Sequence, residues 1–288
     1  MTGVNQRATD PVVVASGLRF FVDEMDSLGL RANGIFEPET LAFCEKTIRP
    51  GNTVVDVGAN IGYYTVYFSR FVGAAGRVIA FEPDPFNFSL LQKNVAENGC
   101  NNAELHRFAL SDQAGQSYLY LSDSNLGMHR MYPSVCCTDR AEGVQTIRFD
   151  ETIPVDEVQF VKIDIEGYEY FALRGMEACL RNNDEVKIVS EFSPLSMLEA
   201  GYSPILLLEF LFGLDFLAYD LDGKSLDAEK LASHCRLFDQ VERGEVIAEM
   251  QGKNIIEILD QAQRLLQRIG YARPLLEYIV FARRPALC

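Results

Sequence analysis

Between residues 53 and 192 the chain alternates between short apolar runs and longer segments with helical periodicity. Thr53–Val57 and Arg77–Phe81 are nearly continuous apolar runs, which is typical of strands covered on both faces. From Ile61 onward, apolar residues recur at i, i+3, i+4 and i+7, which is the period of an amphipathic helix. Strands that alternate with helices predict βαβ units on a parallel sheet. We therefore predict an α/β protein.

The remaining predicted elements continue this alternation. Further strands are predicted at 103–108, 159–165, 185–192, 216–221 and 275–282. Asp84 as N-cap, followed by Pro85, predicts a helix that ends at Gly99, and a second helix is predicted from Gly167 to about Leu180.

Residues 111–150 interrupt the alternation. Segments 116–121 and 144–149 alternate polar and apolar residues and predict a hairpin. Residues 122–140 between them predict a long loop, and long loops in compact domains are often functional.

The chain divides into four segments at the sequence level. They are an N-terminal strand and helix cap (1–45), a core (46–223), a charged helical insertion (224–274) and a last core strand (275–288). Within the insertion, Ile255, Leu259, Ala262, Leu266 and Ile269 repeat with a spacing of four and three. This seam could join the 254–269 helices of a homodimer, and packing onto its own domain is at least as good an interpretation.

Charge and cysteine usage limit the partners and the compartment. The 26 Lys and Arg face 41 Asp and Glu, a net charge of -15, which disfavours nucleic acid and anionic membranes and favours neutral or cationic small ligands. The seven cysteines are odd in number and form no C-x-x-C pair, so we expect reduced thiols and a cytoplasmic setting. No signal peptide is visible, and the apolar stretch 205–219 is too short for a membrane span.

The first predicted strand runs into a glycine-containing turn, Asp56-Val57-Gly58-Ala59-Asn60-Ile61-Gly62. Such a turn lets the backbone approach a nucleotide-type ligand. It is neither the G-x-G-x-x-G dinucleotide pattern, because Asn60 replaces the second glycine, nor a phosphate-binding P-loop. Glu82 follows Gly62 by twenty residues, at the end of the second strand, where an acid can hold both hydroxyls of a ribose. On its own, Glu82 could be a solvated charge at a strand end.

Five segments extend this pattern in order: VVDVGANIGYYT, FEPDPFNF, ALSD, VKIDIEGYEY and SEFSP. Together they resemble the FkbM family within the class I S-adenosylmethionine-dependent methyltransferases, over residues 34–223. The resemblance implies a Rossmann-like fold with seven strands, a mostly parallel sheet, an antiparallel last strand and helices on both faces. The insertion at 224–274 departs from the family pattern, which leaves the C-terminal geometry open.

The resemblance also implies cofactor contacts. It places Asp56, Gly58, Asn60 and Gly62 around the methionyl part of S-adenosylmethionine and Glu82 on the ribose. It places Asp112, in ALSD, at the adenine edge, although a Ser-Asp pair is equally typical of a turn.

The acceptor side of the site is predicted at the ends of later strands, where ligands of open α/β sheets bind. Asp164, Glu166 and Glu191 are candidates there, either as a general base or as ligands of a divalent ion such as Mg²⁺. Lys162, Asp164 and Glu166 should share one face of their strand, so a plain ion pair with Lys162 is the alternative. His129, in the long loop, is a further candidate base or a simple surface histidine.

These features predict an S-adenosylmethionine-dependent enzyme that methylates a hydroxyl of a small molecule or a saccharide. The preference for oxygen is implied by the resemblance alone. A nicotinamide-dependent oxidoreductase and a non-catalytic cofactor-binding scaffold are the alternatives. The missing third glycine and the lack of a Tyr-x-x-x-Lys pair beside the fourth strand count against the oxidoreductase.

Overall fold

A computed structural model describes residues 10–154, 157–241, 244, 250–251, 255–269 and 277–283. Its strands, in chain order, are β1 (Val12–Val13), β2 (Arg19–Phe20), β3 (Thr53–Val57), β4 (Arg77–Phe81), β5 (Ala103–His106), β6 (Ala109–Leu110), β7 (Gly115–Tyr120), β8 (Ala141–Ile147), β9 (Phe160–Ile163), β10 (Lys187–Phe192), β11 (Leu217–Tyr219) and β12 (Glu277–Ala282). Its helices are α1 (Leu30–Asn33), α2 (Pro38–Thr47), α3 (Tyr63–Val72), α4 (Pro85–Glu97), α5 (Phe149–Thr152), α6 (Glu169–Arg174), α7 (Glu177–Asn182), α8 (Pro194–Glu199), α9 (Ile205–Phe212), α10 (Ala228–Arg236) and α11 (Ile255–Ile269). Leu126–Met128 and Leu237–Gln240 form short 3₁₀ helices.

Seven strands form the central sheet in the order β11-β12-β10-β9-β3-β4-β5. β10, β9, β3, β4 and β5 are parallel to one another. β12 enters between β10 and β11 and is antiparallel to both. This topology confirms the predicted α/β fold with a mostly parallel sheet and an antiparallel last strand.

The sheet is buried on both faces because its central strands carry apolar residues at successive positions. Val55 and Ile79 face one hydrophobic cluster, whereas Val54 and Val78 face the other. Burial of each such side chain stabilises the fold by about 1.5–3 kcal/mol. The N-terminal residues add to the second cluster, in which Phe20 of β2 packs together with residues of α2 and α3.

The helix that follows β4 begins as predicted. The side chain of Asp84 accepts a hydrogen bond from the Asn87 N–H at 2.7 Å, and Pro85 occupies the first turn. A cap of this kind contributes about 1 kcal/mol. It also fixes the direction in which the chain leaves Glu82.

The excursion between β5 and β9 contains the predicted hairpin. β7 and β8 pair in antiparallel register, and β6 joins β8 to complete a small sheet. Residues 122–140 form the predicted loop, which contains the 3₁₀ helix Leu126–Met128.

Two predictions for the region 159–180 were wrong in detail. β9 ends at Ile163, and Glu166 adopts a positive φ of 58°, so the strand alternation that would place Lys162, Asp164 and Glu166 on one face stops short of Glu166. The predicted helix over 167–180 is two helices, α6 and α7, separated at Gly175. A Cβ at Gly175 would lie 2.1 Å from the Ser111 carbonyl oxygen, so the break lies where the backbone just after β6 approaches the helix.

The described part of α11 packs onto the rest of the chain. Ala262 and Leu266, two members of the predicted seam, are buried in a cluster with Leu195 and Leu198 of α8 and with Phe238. The side chains of Ile255, Leu259 and Ile269 lie outside the described residues, as does much of the segment 242–276. The homodimer and the four-segment division stay predictions. Within the described residues, no helix is both long and apolar enough to cross a bilayer.

Candidate active site

A cavity of about 260 Å³ opens at the carboxyl edge of the parallel strands. Its wall includes Gly58 after β3, Glu82 after β4, Asp164 after β9 and Glu191 near the end of β10. This is the edge where ligands of open α/β sheets bind. The glycine turn and the predicted acids therefore meet in one place.

The glycine turn is shaped by close backbone approach. Gly58 has a φ of 84°, and a Cβ there would lie 2.0 Å from the Asp164 carbonyl oxygen. Gly62 has a φ of 88°, and a Cβ there would lie 2.6 Å from Leu91 of α4. Gly58 and Asn60 line the cavity, whereas Gly62 is not among the described lining residues. Gly58 thus allows the turn to lie directly against the backbone after β9, and Gly62 serves helix packing.

Glu82 holds the glycine turn through both carboxylate oxygens. Oε2 accepts a hydrogen bond from the Asn60 N–H and Oε1 from the Asp84 N–H, both at 2.8 Å. The side chain is buried and lines the cavity. Burial raises the pKa of Glu82 to about 8, with Asp84 and Asp56 adding to the shift and the two N–H groups opposing it. Each oxygen has a second lone pair that a ligand hydroxyl can use.

Asp56 and Asp112 lie away from the described lining of the cavity. Asp56 is fully buried, and its Oδ2 accepts a hydrogen bond from the Thr65 hydroxyl at 2.6 Å. It therefore ties β3 to α3. Asp112 is half-buried, and the residues of its segment that line the cavity are instead the apolar Phe108, Ala109 and Leu110. The cofactor roles of both acids stay predictions.

Asp164 is oriented by a cation and a phenol. The Lys162 ammonium donates to Asp164 Oδ2 at 2.9 Å, and the Tyr278 hydroxyl lies 2.7 Å from the same oxygen. Burial alone would lower the pKa of Lys162, but Asp164, Glu37 and Asp56 together raise it above its usual value. Lys162 is therefore charged, and it fixes one oxygen of Asp164 while the carboxylate remains at the cavity wall.

Three further polar residues of this cluster were missed from the sequence. The Tyr64 hydroxyl donates to Glu37 Oε2 at 2.7 Å, and the Tyr278 hydroxyl lies 2.8 Å from Glu37 Oε1. Burial raises the pKa of Glu37, although Lys162 opposes the shift. Glu37 precedes the core and Tyr278 lies on the last strand, so no local motif joins them. Tyr64 stands inside the glycine segment and was the one residue that the motif could have indicated.

Glu191 and Glu166 lie beside Asp164 on the cavity wall. Glu191 is 4% exposed, and its Oε2 has no hydrogen-bond partner among the described residues. Burial raises the pKa of Glu191 well above its usual value, and Asp164 and Glu166 add to the shift. The Arg130 guanidinium donates to Glu166 Oε2 at 3.0 Å, and burial nevertheless raises the pKa of Glu166 to about 7.

Glu169, the first residue of α6, faces the protein interior. It is fully buried, and its Oε1 accepts hydrogen bonds from the N–H groups of Ile165 and Gly167. Burial raises the pKa of Glu169 to about 7. Its carboxylate thus holds the turn that carries Glu166.

The described residues contain no group of three His, Cys, Asp or Glu side chains arranged to hold a metal ion. Of the candidate ligands, Asp164 is bound by Lys162 and Glu166 by Arg130.

The loop 122–140 covers the cavity from the side of Glu82. The Asn87 side chain donates to the Leu126 carbonyl oxygen at 3.0 Å, and the Leu126 N–H donates to the Ser27 hydroxyl at 3.0 Å. His129 lines the cavity, where Nδ1 accepts a hydrogen bond from the Ser122 N–H and Nε2 lies 4.0 Å from Asp84 Oδ2. Burial lowers the pKa of His129. Nδ1 is therefore held within the loop and Nε2 faces Asp84, and the role of His129 as a base stays a prediction.

A buried arginine anchors the same loop. Arg130 donates through Nη1 to Glu199 Oε2 at 2.9 Å and through Nη2 to Glu166. Glu199 also accepts hydrogen bonds from the Ser134 hydroxyl and the Val135 N–H. These contacts tie the loop to α8 and to the turn after β9.

Comparisons with known proteins agree on methyltransferases. The curated relatives include Methyltransferase 1 of Beauveria bassiana, 26% identical over 43% of this chain and 58% of the relative. They also include the hexuronic acid methyltransferase AglP of Haloferax volcanii, 30% identical over 44% of this chain and 51% of the relative. The matches thus span little more than half of each relative.

A solved structure with a similar fold is the precorrin-6y C5,15-methyltransferase of Geobacter metallireducens. It is 14% identical, with a TM-score of 0.43 over 69% of this chain and 79% of that one.

A family comparison covers the site itself. The family described as the methyltransferase FkbM domain matches residues 56–217, more than half of the 288 residues. The matched region contains the glycine turn, Glu82, Asp164 and Glu191. The resemblance seen in the sequence is thereby confirmed, and the chain belongs to the FkbM methyltransferase domain family.

Proposed function

We propose that this protein transfers a methyl group from S-adenosylmethionine to a hydroxyl oxygen of a small molecule, most specifically a saccharide. The observation that carries the proposal is the single cavity in which Glu82 and Gly58 form one part of the wall and Asp164 another. Methyl transfer requires a nucleoside grip and a proton acceptor within reach of each other. The named activity of the Haloferax volcanii relative supports a saccharide.

The residues on the Glu82 side fit the cofactor. Gly58 lines the cavity in a turn that lies directly against the backbone after β9, and Glu82 offers a carboxylate to two ribose hydroxyls. Phe108, Ala109 and Leu110 supply an apolar wall for a purine ring. When bound, S-adenosylmethionine supplies the methyl group and a positively charged sulfur, which the acidic wall stabilises.

Asp164 is the proposed general base. Both of its hydrogen bonds fall on Oδ2, so Oδ1 is the atom that takes the hydroxyl proton of the acceptor. Lys162 and Tyr278 act as positioning residues because they hold the carboxylate in one orientation. The acceptor hydroxyl then attacks with its proton already directed to Asp164. Glu191 and His129 stay predictions as alternative bases, and the cytoplasmic location stays a prediction from cysteine usage.

The direct test is formation of S-adenosylhomocysteine with a panel of sugars and polyols. The variant Asp164→Asn keeps the size of the side chain but removes the base, so kcat should fall by about 10²–10⁴. Its affinity for S-adenosylhomocysteine should stay within about twofold, because Glu82 and Gly58 are untouched. Glu45→Gln, at an exposed position, is the matched control.

Full turnover of Asp164→Asn would remove Asp164 from the role of base. No product with any sugar, from a protein that binds the cofactor, would refute the saccharide acceptor. The assay is run with added magnesium and after exhaustive chelation. A loss of turnover on chelation would show that a divalent ion takes part.

A further inference from the structure

The cavity wall around Asp164 has more acids than cations. Glu37, Asp164, Glu166 and Glu191 line it, and Lys162 is the only lysine or arginine among the described lining residues. Burial of a carboxylate without a hydrogen-bond donor or a counter-cation destabilises the fold. The partners of each of the four acids therefore indicate which of them can bind a ligand.

Two of the four acids are satisfied within the protein. Asp164 is paired with Lys162, and Glu37 accepts a hydrogen bond from Tyr64. The Tyr278 hydroxyl lies between Glu37 and Asp164 and shares its one proton between them. These contacts compensate both acids and hold the base, with Asp164 Oδ1 left for the acceptor hydroxyl.

The other two acids are not satisfied to the same extent. Glu166 shares the Arg130 guanidinium with Glu199, so one cation serves two carboxylates. Glu191 is 4% exposed, lines the cavity and has no partner for Oε2 among the described residues. The Glu191 carboxylate thus lines the cavity without a hydrogen-bond donor among the described residues, and a ligand donor that reaches it would supply the missing hydrogen bond.

We infer that Glu191 and Glu166 form a subsite for a protonated amine of the acceptor, so that the acceptor is an amino sugar or an amino polyol. This inference rests on the proposed function and names its substrate class. An ammonium group donates up to three hydrogen bonds and brings the charge that this part of the wall lacks. Burial raises the pKa of both carboxylates, which accords with a pair that lacks a counter-cation.

The same wall disfavours an anionic acceptor. A carboxylate placed beside Glu166 and Glu191 would be repelled and would find no free cation among the described lining residues. This chain should therefore differ from its Haloferax volcanii relative, which is named for a hexuronic acid.

The test uses the full chain and matched sugars. Glucosamine, glucose, N-acetylglucosamine and glucuronic acid are compared as acceptors by kcat/KM, and as ligands by calorimetry on protein saturated with S-adenosylhomocysteine. Charge-assisted hydrogen bonds of the expected strength correspond to a preference of about tenfold or more for glucosamine over glucose. N-acetylglucosamine keeps the nitrogen but not the charge, so it should lose that preference.

The variant Glu191→Gln tests the assignment to this residue. The glucosamine-to-glucose ratio should fall toward one in Glu191→Gln and stay unchanged in the exposed control Glu45→Gln. Should Glu191→Gln fail to fold, the four wild-type affinities decide the inference by themselves. Equal affinity for glucosamine and glucose, or tighter binding of glucuronic acid, overturns it.

Two other outcomes are distinguishable. Magnesium that binds the wild-type complex, and is lost in Glu191→Gln, would assign the subsite to a metal and overturn the amine. Preferential binding of glucosamine without any methyl transfer would support the amine subsite while refuting the proposed function.

Discussion

Replacing Glu82 with alanine should weaken binding of S-adenosylhomocysteine about 30-fold or more. Each hydrogen bond from a ribose hydroxyl to the carboxylate contributes about 1.5–3 kcal/mol to binding. In the variant, hydrogen bonds from the ribose hydroxyls to water recover part of this energy. A net loss of about 2 kcal/mol corresponds to that change in Kd. The variant also leaves the Asn60 and Asp84 N–H groups without their acceptor, so the glycine turn loses its support.

Titration calorimetry of wild type and Glu82→Ala with S-adenosylhomocysteine measures this difference. The exposed variant Glu45→Ala serves as the control. Thermal unfolding of the same samples shows whether the variant is folded at the assay temperature. A folded Glu82→Ala with unchanged Kd would refute the assignment of Glu82 to the ribose.

Three further outcomes are expected. The pKa of Glu82 is raised to about 8, and only the ionised carboxylate accepts hydrogen bonds from both ribose hydroxyls, so the affinity of wild type for S-adenosylhomocysteine should rise as pH increases from 6 to 9. Glu82→Ala should lack this rise. Equal pH profiles for the two proteins would contradict the role of Glu82. Gly58→Ala should lower the free energy of unfolding by about 2 kcal/mol or more in urea, because its Cβ would meet the Asp164 carbonyl oxygen; Gly143→Ala, where nothing lies within 4 Å, is the control and should have little effect. Arg130→Met should lower the free energy of unfolding, measured by thermal unfolding, by about 3–5 kcal/mol, because it leaves the carboxylates of Glu166 and Glu199 without their cation. A stability equal to that of wild type would show that other contacts hold the loop 122–140.

The side of the cavity formed by the glycine turn and Glu82 was predictable because its residues follow local rules. The turn after Val57, the N-cap at Asp84 and the spacing from Gly62 to Glu82 each lie within a short stretch of sequence. The parallel sheet follows from the same βαβ pattern, and its antiparallel last strand follows from the family resemblance. These features need no knowledge of distant contacts.

The side of the cavity around Asp164 was less predictable because its contacts are distant in the chain. Glu37 and Tyr278 are 241 positions apart and meet only because β12 returns beside β10. Arg130 reaches Glu199 from a loop that carries no periodic signal. Glu166 does not share a strand face with Lys162 and Asp164 because its backbone adopts a positive φ beyond the end of β9. Side-chain alternation could not indicate any of these.

A crystal structure with bound S-adenosylhomocysteine tests the central claim most directly. The account predicts that the ribose hydroxyls lie within hydrogen-bond distance of Glu82 and that the sulfur lies over Gly58, toward Asp164. A ligand bound outside this cavity, or a Glu82 side chain turned away from the ribose, would contradict it.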